Sequence, residues 1–169
     1  ENAIGHREGS RNRVREDGST RYRIGQPTPR ALRISRGSTT LTPPRHVVGF
    51  MSGTSLDGLD AALVSIDGVG EGMTATILAH GSRPFDSIEA IERLARGGSA
   101  TAAAITEASR TVGTLHAELL EVVVREAGLD PRHDLDLVAV HGQTVMHRPP
   151  LSWQLVDPWP LVRSVECPI

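Results

Sequence analysis

A run of small, polar and acidic residues follows the first strongly apolar segment of the sequence, and its composition suits phosphate binding. It comes directly after Val47–Met51. Its glycines let the backbone bend close to a ligand, and successive backbone N–H groups, with serine and threonine hydroxyls, can surround phosphate oxygens. Asp57 and Asp60 are hard oxygen donors that could hold Mg²⁺ directly or through water. The candidate phosphate-binding residues are Ser52, Gly53, Thr54, Ser55, Leu56, Asp57, Gly58, Leu59 and Asp60.

This run differs from two well-known phosphate-binding motifs. It contains neither Gly-Lys-Ser/Thr nor G-x-G-x-x-G, so it is neither a P-loop nor a dinucleotide fingerprint. It also joins two predicted strands, whereas those motifs join a strand to a helix. Because the same residue types are common in hairpin turns, an ordinary turn is the alternative to a phosphate site.

A second candidate site lies at 141–144, where the sequence reads His-Gly-Gln-Thr. Imidazole, amide and hydroxyl groups at the end of a strand suit a polyhydroxylated ligand such as a sugar. His141 and His147 are six residues apart with no third ligand at zinc spacing, which argues against a metal. A packed histidine followed by a polar turn is the alternative.

Four further residues are weaker candidates. Trp153 and Trp159 could stack on a sugar, but packing in the core is the commoner role of tryptophan. Cys167 has no neighbouring base and is best interpreted as a small buried hydrophobic residue. His116 falls within a predicted helix, where a packed or surface position is the simplest interpretation.

The strands that must position the first motif are predicted from alternating apolar residues. Strands at 47–51, 59–66 and 73–80 form an antiparallel meander, with Asp67-Gly68 as the second turn. The first motif is therefore the turn between the first two strands.

Two helices and further strands follow the meander. A first helix is predicted from Asp86 as N-cap, with Glu89 completing a capping box. A longer helix covers 101–127, with a kink near Gly113. The second motif then lies at the carboxyl end of a strand, where α/β sheets bind ligands. The remaining predicted elements are strands at 135–140 and 152–156, a short helix after Asp157-Pro158 and the start of a strand at 167–169.

Residues 1–45 differ from the rest of the chain in composition. They hold ten arginines against four acidic residues, whereas the remainder holds eight arginines against sixteen acidic residues. Because no apolar period persists there, we predict a disordered extension. Its arginines are dispersed rather than clustered, which favours a solvated tail over a nucleic-acid-binding one. The single cysteine excludes an internal disulfide, and no apolar run is long enough to span a membrane.

Three segments resemble the anhydro-N-acetylmuramic acid kinase family. Residues 53–60, Gly-Thr-Ser-Leu-Asp-Gly-Leu-Asp, resemble its nucleotide-binding signature, and His141–Val145 resembles its second block. Gln154–Pro158 resembles a third block, with Val156 where the family has glycine. The three occur in the family's order, so the resemblance covers residues 46–169.

The resemblance implies an α/β fold of the actin-like, sugar-kinase and heat-shock ATPase (ribonuclease H-like) class, in which two lobes close over ATP. Residues 46–169 would form an incomplete first lobe. ATP and Mg²⁺ are the implied cofactors, with Gly53–Asp60 at the phosphates and metal and with His141, Gly142, Gln143 and Thr144 near the sugar. In the implied reaction, water opens the 1,6-anhydro ring and the freed 6-oxygen takes the γ-phosphate. The product is N-acetylmuramic acid 6-phosphate, an intermediate of peptidoglycan recycling.

The resemblance also places the general base, an aspartate, after a strand that begins Pro-Ile or Pro-Val. This sequence ends at Pro168-Ile169, so we expect an N-terminal fragment that is inactive alone, because phosphoryl transfer needs groups from both lobes. A non-catalytic nucleotide-binding remnant and another sugar kinase of the same fold are the alternatives. We expect a cytoplasmic protein whose partners are an amino sugar and ATP, without nucleic acid or membrane contact. A homodimer is one possible assembly of the complete protein.

Overall fold

A mixed sheet with a long helix on one face is the main feature of the computed structural model, which describes residues 23–25, 43–53, 56–85 and 88–169. The strands are β1 (Arg23–Gly25), β2 (Arg45–Ser52), β3 (Gly58–Asp67), β4 (Thr74–Pro84), β5 (Leu137–Ala139), β6 (Gln143–Arg148) and β7 (Leu151–Leu155). The helices are α1 (Glu89–Ala95), α2 (Ala102–Glu126) and α3 (Trp159–Val162).

The strand order in the main sheet is β1-β4-β3-β2-β5. β2, β3 and β4 form the predicted antiparallel meander. β5 returns through α1 and α2 and pairs with β2 in parallel, with Val48 opposite Val138. This confirms a mixed α/β architecture. Because β2 and β5 run in parallel, the segments after them, which carry the two motifs, leave the sheet at the same edge.

The main core lies between the sheet and α2. Alternate residues of the strands point to the helix and are buried, while α2 presents buried residues at helical spacing. The sheet contributes Val48, Phe50, Leu59, Ala61, Leu63 and Val138, and the helix contributes Leu115, Leu119, Leu120, Val123 and Val124. A second, smaller cluster joins the helices to the β6–β7 hairpin through Ile91, Ala108, Val112, Val145 and Leu155.

The two helices differ from their predicted forms in detail. α1 begins at Glu89, after Ile88 in the N-cap position, so Glu89 opens the helix instead of closing a capping box. Asp86 itself lies outside the described residues. Thr101 caps α2 as its Oγ1 accepts a hydrogen bond from the Ala104 N–H at 3.2 Å. The helix runs unbroken past Gly113.

The amino-terminal segment departs from the expectation of disorder where it is described. Arg23–Gly25 pairs with β4 as an antiparallel strand, with Ile24 opposite Gly81. Arg45 already belongs to β2, one residue before the predicted start of the folded part. The rest of 1–42 lies outside the described residues.

The last elements pack back onto α2 and the sheet. Asp157 accepts hydrogen bonds from the Trp159 N–H and from Arg110, each at 3.0 Å, and these hold the pKa of its carboxyl below the ordinary value. The segment at 167–169 is not a strand, but the Pro168 carbonyl accepts a hydrogen bond from the Val138 N–H at 3.0 Å and so lies beside β5. Within the described ranges, no helix is long and apolar enough to cross a membrane.

Candidate functional site

The first motif forms the turn between β2 and β3. Its described part consists of Ser52, Gly53 and the residues from Leu56 onward, whereas Thr54 and Ser55 lie outside the described residues. The Leu56 N–H bonds the Gly53 carbonyl at 3.5 Å, and Leu56 has a φ of 58°. Such a positive φ is uncommon for a bulky residue, and strained conformations of this kind cluster at tight turns and functional sites.

The glycine at 58 is needed because two strands approach closely there. A Cβ at this position would lie 2.7 Å from the Arg83 carbonyl oxygen on β4. The neighbouring Leu59 is fully buried in the core, while Asp57 and Asp60 are exposed. The base of the loop is therefore buried, while its two aspartates lie on the exposed side.

The second motif lies directly against the first. The Ser52 hydroxyl donates to the Gly142 carbonyl at 3.3 Å, and the Gln143 side-chain amide donates to the Gly53 carbonyl at 3.0 Å. Two segments about ninety residues apart in the chain are thus joined by two hydrogen bonds. The structure brings the predicted phosphate and sugar motifs together at one edge of the sheet.

Burial separates the motif residues into supporting and available groups. Gln143 and Ser52 are 0% and 3% exposed, and the Gln143 amide nitrogen and the Ser52 hydroxyl both donate inside the protein. These two donors hold the loop in place. The Gln143 Oε1 atom is also buried, but it has no hydrogen-bond partner among the described residues. His141 and Thr144 are half-buried, and His141 Nε2 bonds the Gln154 side-chain amide at 3.1 Å.

The carboxylates of the loop fit a metal that is bound together with a nucleotide. Within the described ranges, no group of three or more histidine, cysteine or acidic residues could hold a metal ion alone. Asp57 and Asp60 are hard oxygen donors, so they would hold Mg²⁺ with the phosphate oxygens completing its coordination.

The weaker candidates have mixed outcomes. Trp153 and Trp159 are 39% and 61% exposed, so their predicted core packing is wrong. In β7 only Leu155 is buried, and in α3 only Leu161, which leaves both tryptophans on outward positions. Because strand neighbours point to opposite faces, Trp153 also points away from the side where Gln154 meets His141. Cys167 is half-buried against the core, and burial raises the pKa of its thiol, as expected for a packing residue.

Two side chains named in the sequence analysis have supporting roles that it did not predict. Leu56 packs into the second cluster beside α1 and α2 and so anchors the loop. His116, taken as a packed or surface residue, is fully buried near the second motif. Its spacing from Val112 and Leu119 was the available signal, since residues three and four apart share a helix face.

Comparison with known proteins identifies the family to which these motifs are similar. The family model described as anhydro-N-acetylmuramic acid kinase matches residues 45–165. The enzyme of that name from Rhodopseudomonas palustris strain BisB18 is 36% identical over 132 residues, which cover 72% of this chain and 35% of the relative. The one from Methylobacterium nodulans is 39% identical over 141 residues, covering 73% and 37%. The chain thus spans about a third of the length of the curated relatives it matches.

Proposed function

Since this chain belongs to the anhydro-N-acetylmuramic acid kinase family, we propose that it carries the phosphate-binding loop of an ATP-dependent kinase. The proposed acceptor is 1,6-anhydro-N-acetylmuramic acid. Water would open the anhydro ring and the 6-oxygen would take the γ-phosphate, giving N-acetylmuramic acid 6-phosphate for peptidoglycan recycling in the cytoplasm.

The contact between the two motifs is the observation that carries this proposal. A kinase must hold the phosphate donor and the acceptor within reach of one another. The hydrogen bond from Gln143 to the Gly53 carbonyl joins the segment proposed for the nucleotide to the segment proposed for the sugar. An ordinary hairpin turn would not need a buried glutamine from a distant segment to hold it.

The exposed and half-buried groups of the two motifs suggest which residues would bind each ligand. Backbone N–H groups of the loop would bind the phosphates, and Asp57 and Asp60 would hold Mg²⁺ from the exposed side of the loop. Bound Mg²⁺ would neutralise charge on the phosphates. His141 and Thr144, which are half-buried, would contact the sugar, while Ser52, Gly142 and Gln143 hold the loop beside it.

The order of strands supports an actin-like lobe as the setting of the loop. An antiparallel meander followed by a helical crossover to a parallel strand agrees with the beginning of such a lobe. The matched relatives are about three times as long as the matched segment. We therefore expect residues equivalent to the rest of the relatives to be required for turnover.

Calorimetry with Mg-ATP tests nucleotide binding by this chain. Asp57→Asn removes a charge from the proposed metal site, and the loss of a charged contact should weaken binding about tenfold or more. Asp67→Asn, at the far end of β3, removes the same charge away from the loop and should leave the affinity unchanged. Binding that is equal in all three proteins, or no heat at millimolar nucleotide, would contradict the proposal.

The acceptor is tested on a chain extended to the relatives' length. We expect ATP-dependent phosphate transfer to anhydro-N-acetylmuramic acid and none to ordinary hexoses. Transfer to hexoses alone would indicate a sugar kinase of the same fold with another acceptor. Binding of Mg-ATP without any transfer would indicate a nucleotide-binding protein without catalysis.

A further inference from the structure

The side chain of Gln143 is fully buried, and its amide nitrogen contacts the first motif. The residue is 0% exposed. Its Nε2 atom donates to the Gly53 carbonyl at 3.0 Å and to the Thr144 carbonyl at 3.2 Å. Both partners are carbonyl oxygens, which only accept, so these contacts require the nitrogen and not the oxygen of the amide to face them. The donor of Gln143 is therefore used by the loop and by its own strand.

The oxygen of the same amide has no comparable role. Gln143 Oε1 is buried and accepts no hydrogen bond among the described residues. A buried acceptor without a partner destabilises the folded protein, because its hydrogen bonds to water are lost on folding. Methionine, which has a similar length and no amide, would avoid that loss beside Leu155, the neighbour of Gln143 across the hairpin. Stability alone therefore does not explain a glutamine at this position, whereas its bond to Gly53 does.

This bond fixes the direction of one carbonyl in the loop. The Gly53 oxygen accepts from the Gln143 amide and also from the Leu56 N–H, at 3.5 Å. It is thus held toward the buried side, although Gly53 itself is exposed. In a trans peptide group the C=O and the N–H point in opposite directions. With the carbonyl held inward, the N–H of the same peptide group faces the exposed side, where Asp57 and Asp60 also lie.

The direction of this peptide group decides which charge it attracts. A carbonyl oxygen turned outward would repel phosphate oxygens, whereas an outward N–H donates to them. Glycine has no side chain that favours one orientation over the other. The peptide group after Gly53 therefore needs a contact from elsewhere in the chain to hold it, and Gln143 makes that contact.

The backbone that carries Gln143 is itself held in place. Gln143 is paired with Leu155 in the β6–β7 hairpin. The preceding Gly142 accepts a hydrogen bond from the Ser52 hydroxyl at 3.3 Å. A Cβ at Gly142 would lie 2.9 Å from the Leu155 carbonyl oxygen, so the two backbones are in close contact there. Gln143 thus reaches Gly53 from a position that both neighbouring segments define.

We propose that Gln143 is a positioning residue for a bound anion. It holds the Gly53 carbonyl inward and so presents the N–H of that peptide group to a phosphate oxygen on the exposed side of the loop. Its amide nitrogen serves the loop and is not available to a sugar. The identity of the anion rests on the proposed function, whereas the effect of Gln143 on Gly53 does not depend on any ligand.

Gln143→Glu tests the donor, because it keeps the shape of the side chain and replaces the NH₂ group with an oxygen. As a carboxylate it repels the Gly53 carbonyl, whereas its protonated form donates to that carbonyl through O–H. Burial raises the pKa of the introduced carboxyl above the ordinary value for glutamate. The variant should therefore lose the wild-type position of Gly53 at alkaline pH and regain it on acidification.

Two further variants complete the comparison. Gln143→Met removes the donor and the unpaired acceptor together, so acid cannot restore its effect, and it decides the question if Gln143→Glu fails to fold. Gln154→Glu makes the same chemical change at an exposed glutamine of β7, whose amide bonds His141 and not the loop. It is the control for the added charge.

The first readout is the set of NMR signals of the Gly53 amide and carbonyl carbon in isotope-labelled protein, from about pH 8 to about pH 5. Each variant is compared with wild type at the same pH, which removes the contribution of His141 and of other groups common to both. We expect Gln143→Glu to differ from wild type at the alkaline end only, Gln143→Met at both ends and Gln154→Glu at neither. Unchanged signals in both Gln143 variants, or a Gln143→Glu difference that acid does not reverse, would overturn the inference.

The second readout is the affinity for inorganic pyrophosphate with Mg²⁺, measured by calorimetry and expressed relative to wild type at each pH. Gln143→Glu should bind about tenfold more weakly at the alkaline end, the effect of one lost hydrogen bond, and recover at the acid end. Gln143→Met should stay weaker at both, and Gln154→Glu should show no recovery with acid. Equal affinities in all four proteins would refute the role of this N–H in anion binding. If wild type binds neither pyrophosphate nor Mg-ATP, the proposed function fails, while the Gly53 signals still decide whether Gln143 positions the loop.

Discussion

At the scale of single residues, Leu56 shows how the loop is held in an unfavourable backbone conformation. A positive φ costs a non-glycine residue about 1–2 kcal/mol, and Leu56 has a φ of 58°. Its side chain is partly buried against the second cluster, whereas complete burial of a leucine would return about 1.5–3 kcal/mol. The packing therefore offsets part of the backbone cost.

The reactivity of the Cys167 thiol is simple to measure, because Cys167 is the one cysteine in the chain. Burial and, more weakly, Asp136 raise the pKa of its thiol, so little thiolate forms near neutral pH. We expect iodoacetamide to alkylate the folded protein several-fold more slowly than the urea-unfolded protein. The rate is read by mass spectrometry.

Asp136→Asn serves as the control for the charge contribution. It removes the repulsion between carboxylate and thiolate, so alkylation of the folded protein should become slightly faster. Equal rates in the folded and unfolded proteins would show that Cys167 is accessible and reactive, contrary to its packing against the core.

At the scale of elements, the contact of α2 with the segment before α3 depends on Gly113. A Cβ at this position would lie 2.0 Å from the Asp157 carbonyl oxygen. The Asp157 N–H also bonds the Ser109 carbonyl at 3.0 Å, so the two backbones are held in contact. The glycine lets a second backbone approach the helix and does not mark a kink.

Gly113→Ala therefore sets two effects against each other. Helix propensity favours alanine by about 1 kcal/mol, whereas a forced overlap with a backbone atom costs about 1–3 kcal/mol or more. Because the partner is backbone and is held by its own hydrogen bond, we expect the overlap to dominate and Tm to fall. Thr114→Ala, at the exposed neighbouring position, should change Tm little. A rise in Tm for Gly113→Ala would mean that the Asp157 backbone lies farther from position 113 than described.

Local signals were sufficient for the strands but not for the contacts between elements. The meander follows from alternating apolar residues and from Asp67-Gly68, since Gly68 has a left-handed φ of 77° and opens the connection to β4. That connection covers residues 68–73 with a 3₁₀ turn at Gly70–Gly72, so it is longer than the tight turn predicted. The reason for Gly113 lies 44 residues away at Asp157, and the ring that His116 packs against belongs to Phe50, 66 residues earlier, so neither is visible in local sequence. The predicted core packing of the two tryptophans was wrong for a related reason. Hydrophobicity does not reveal which face of a strand or helix is covered by another element.

The two motifs could be found from their residue types, but their relation could not. Nothing in the sequence shows that Gln143 reaches Gly53 or that Ser52 bonds Gly142. Those contacts depend on the parallel pairing of β2 with β5, which brings both turns to one edge. The sequence therefore predicted which residues belong to the site. The pairing of the strands determines which of them are buried and support the loop, and which remain exposed.

At the scale of the whole molecule, the face of the sheet opposite α2 carries an apolar row. Strand register aligns one residue from each of four neighbouring strands, β5, β2, β3 and β4. They are Leu137, Val47, Val64 and Ile77. The outer two are 40% and 48% exposed, and the inner two are half-buried. An aligned row of this kind is a typical site of association between chains.

Ile77→Lys tests whether this row governs the behaviour of the 169-residue chain. A charge at the exposed end of the row should reduce self-association, measured by sedimentation velocity at increasing protein concentration. Since Ile77 is nearly half exposed, Tm should change little, in keeping with about 0.5 kcal/mol for typical surface substitutions. Thr76→Lys adds the same charge on the adjacent exposed residue, outside the row, and should leave self-association unchanged. If both variants reduce it equally, net charge is the cause, and if the wild-type chain stays monomeric throughout, the row does not drive association.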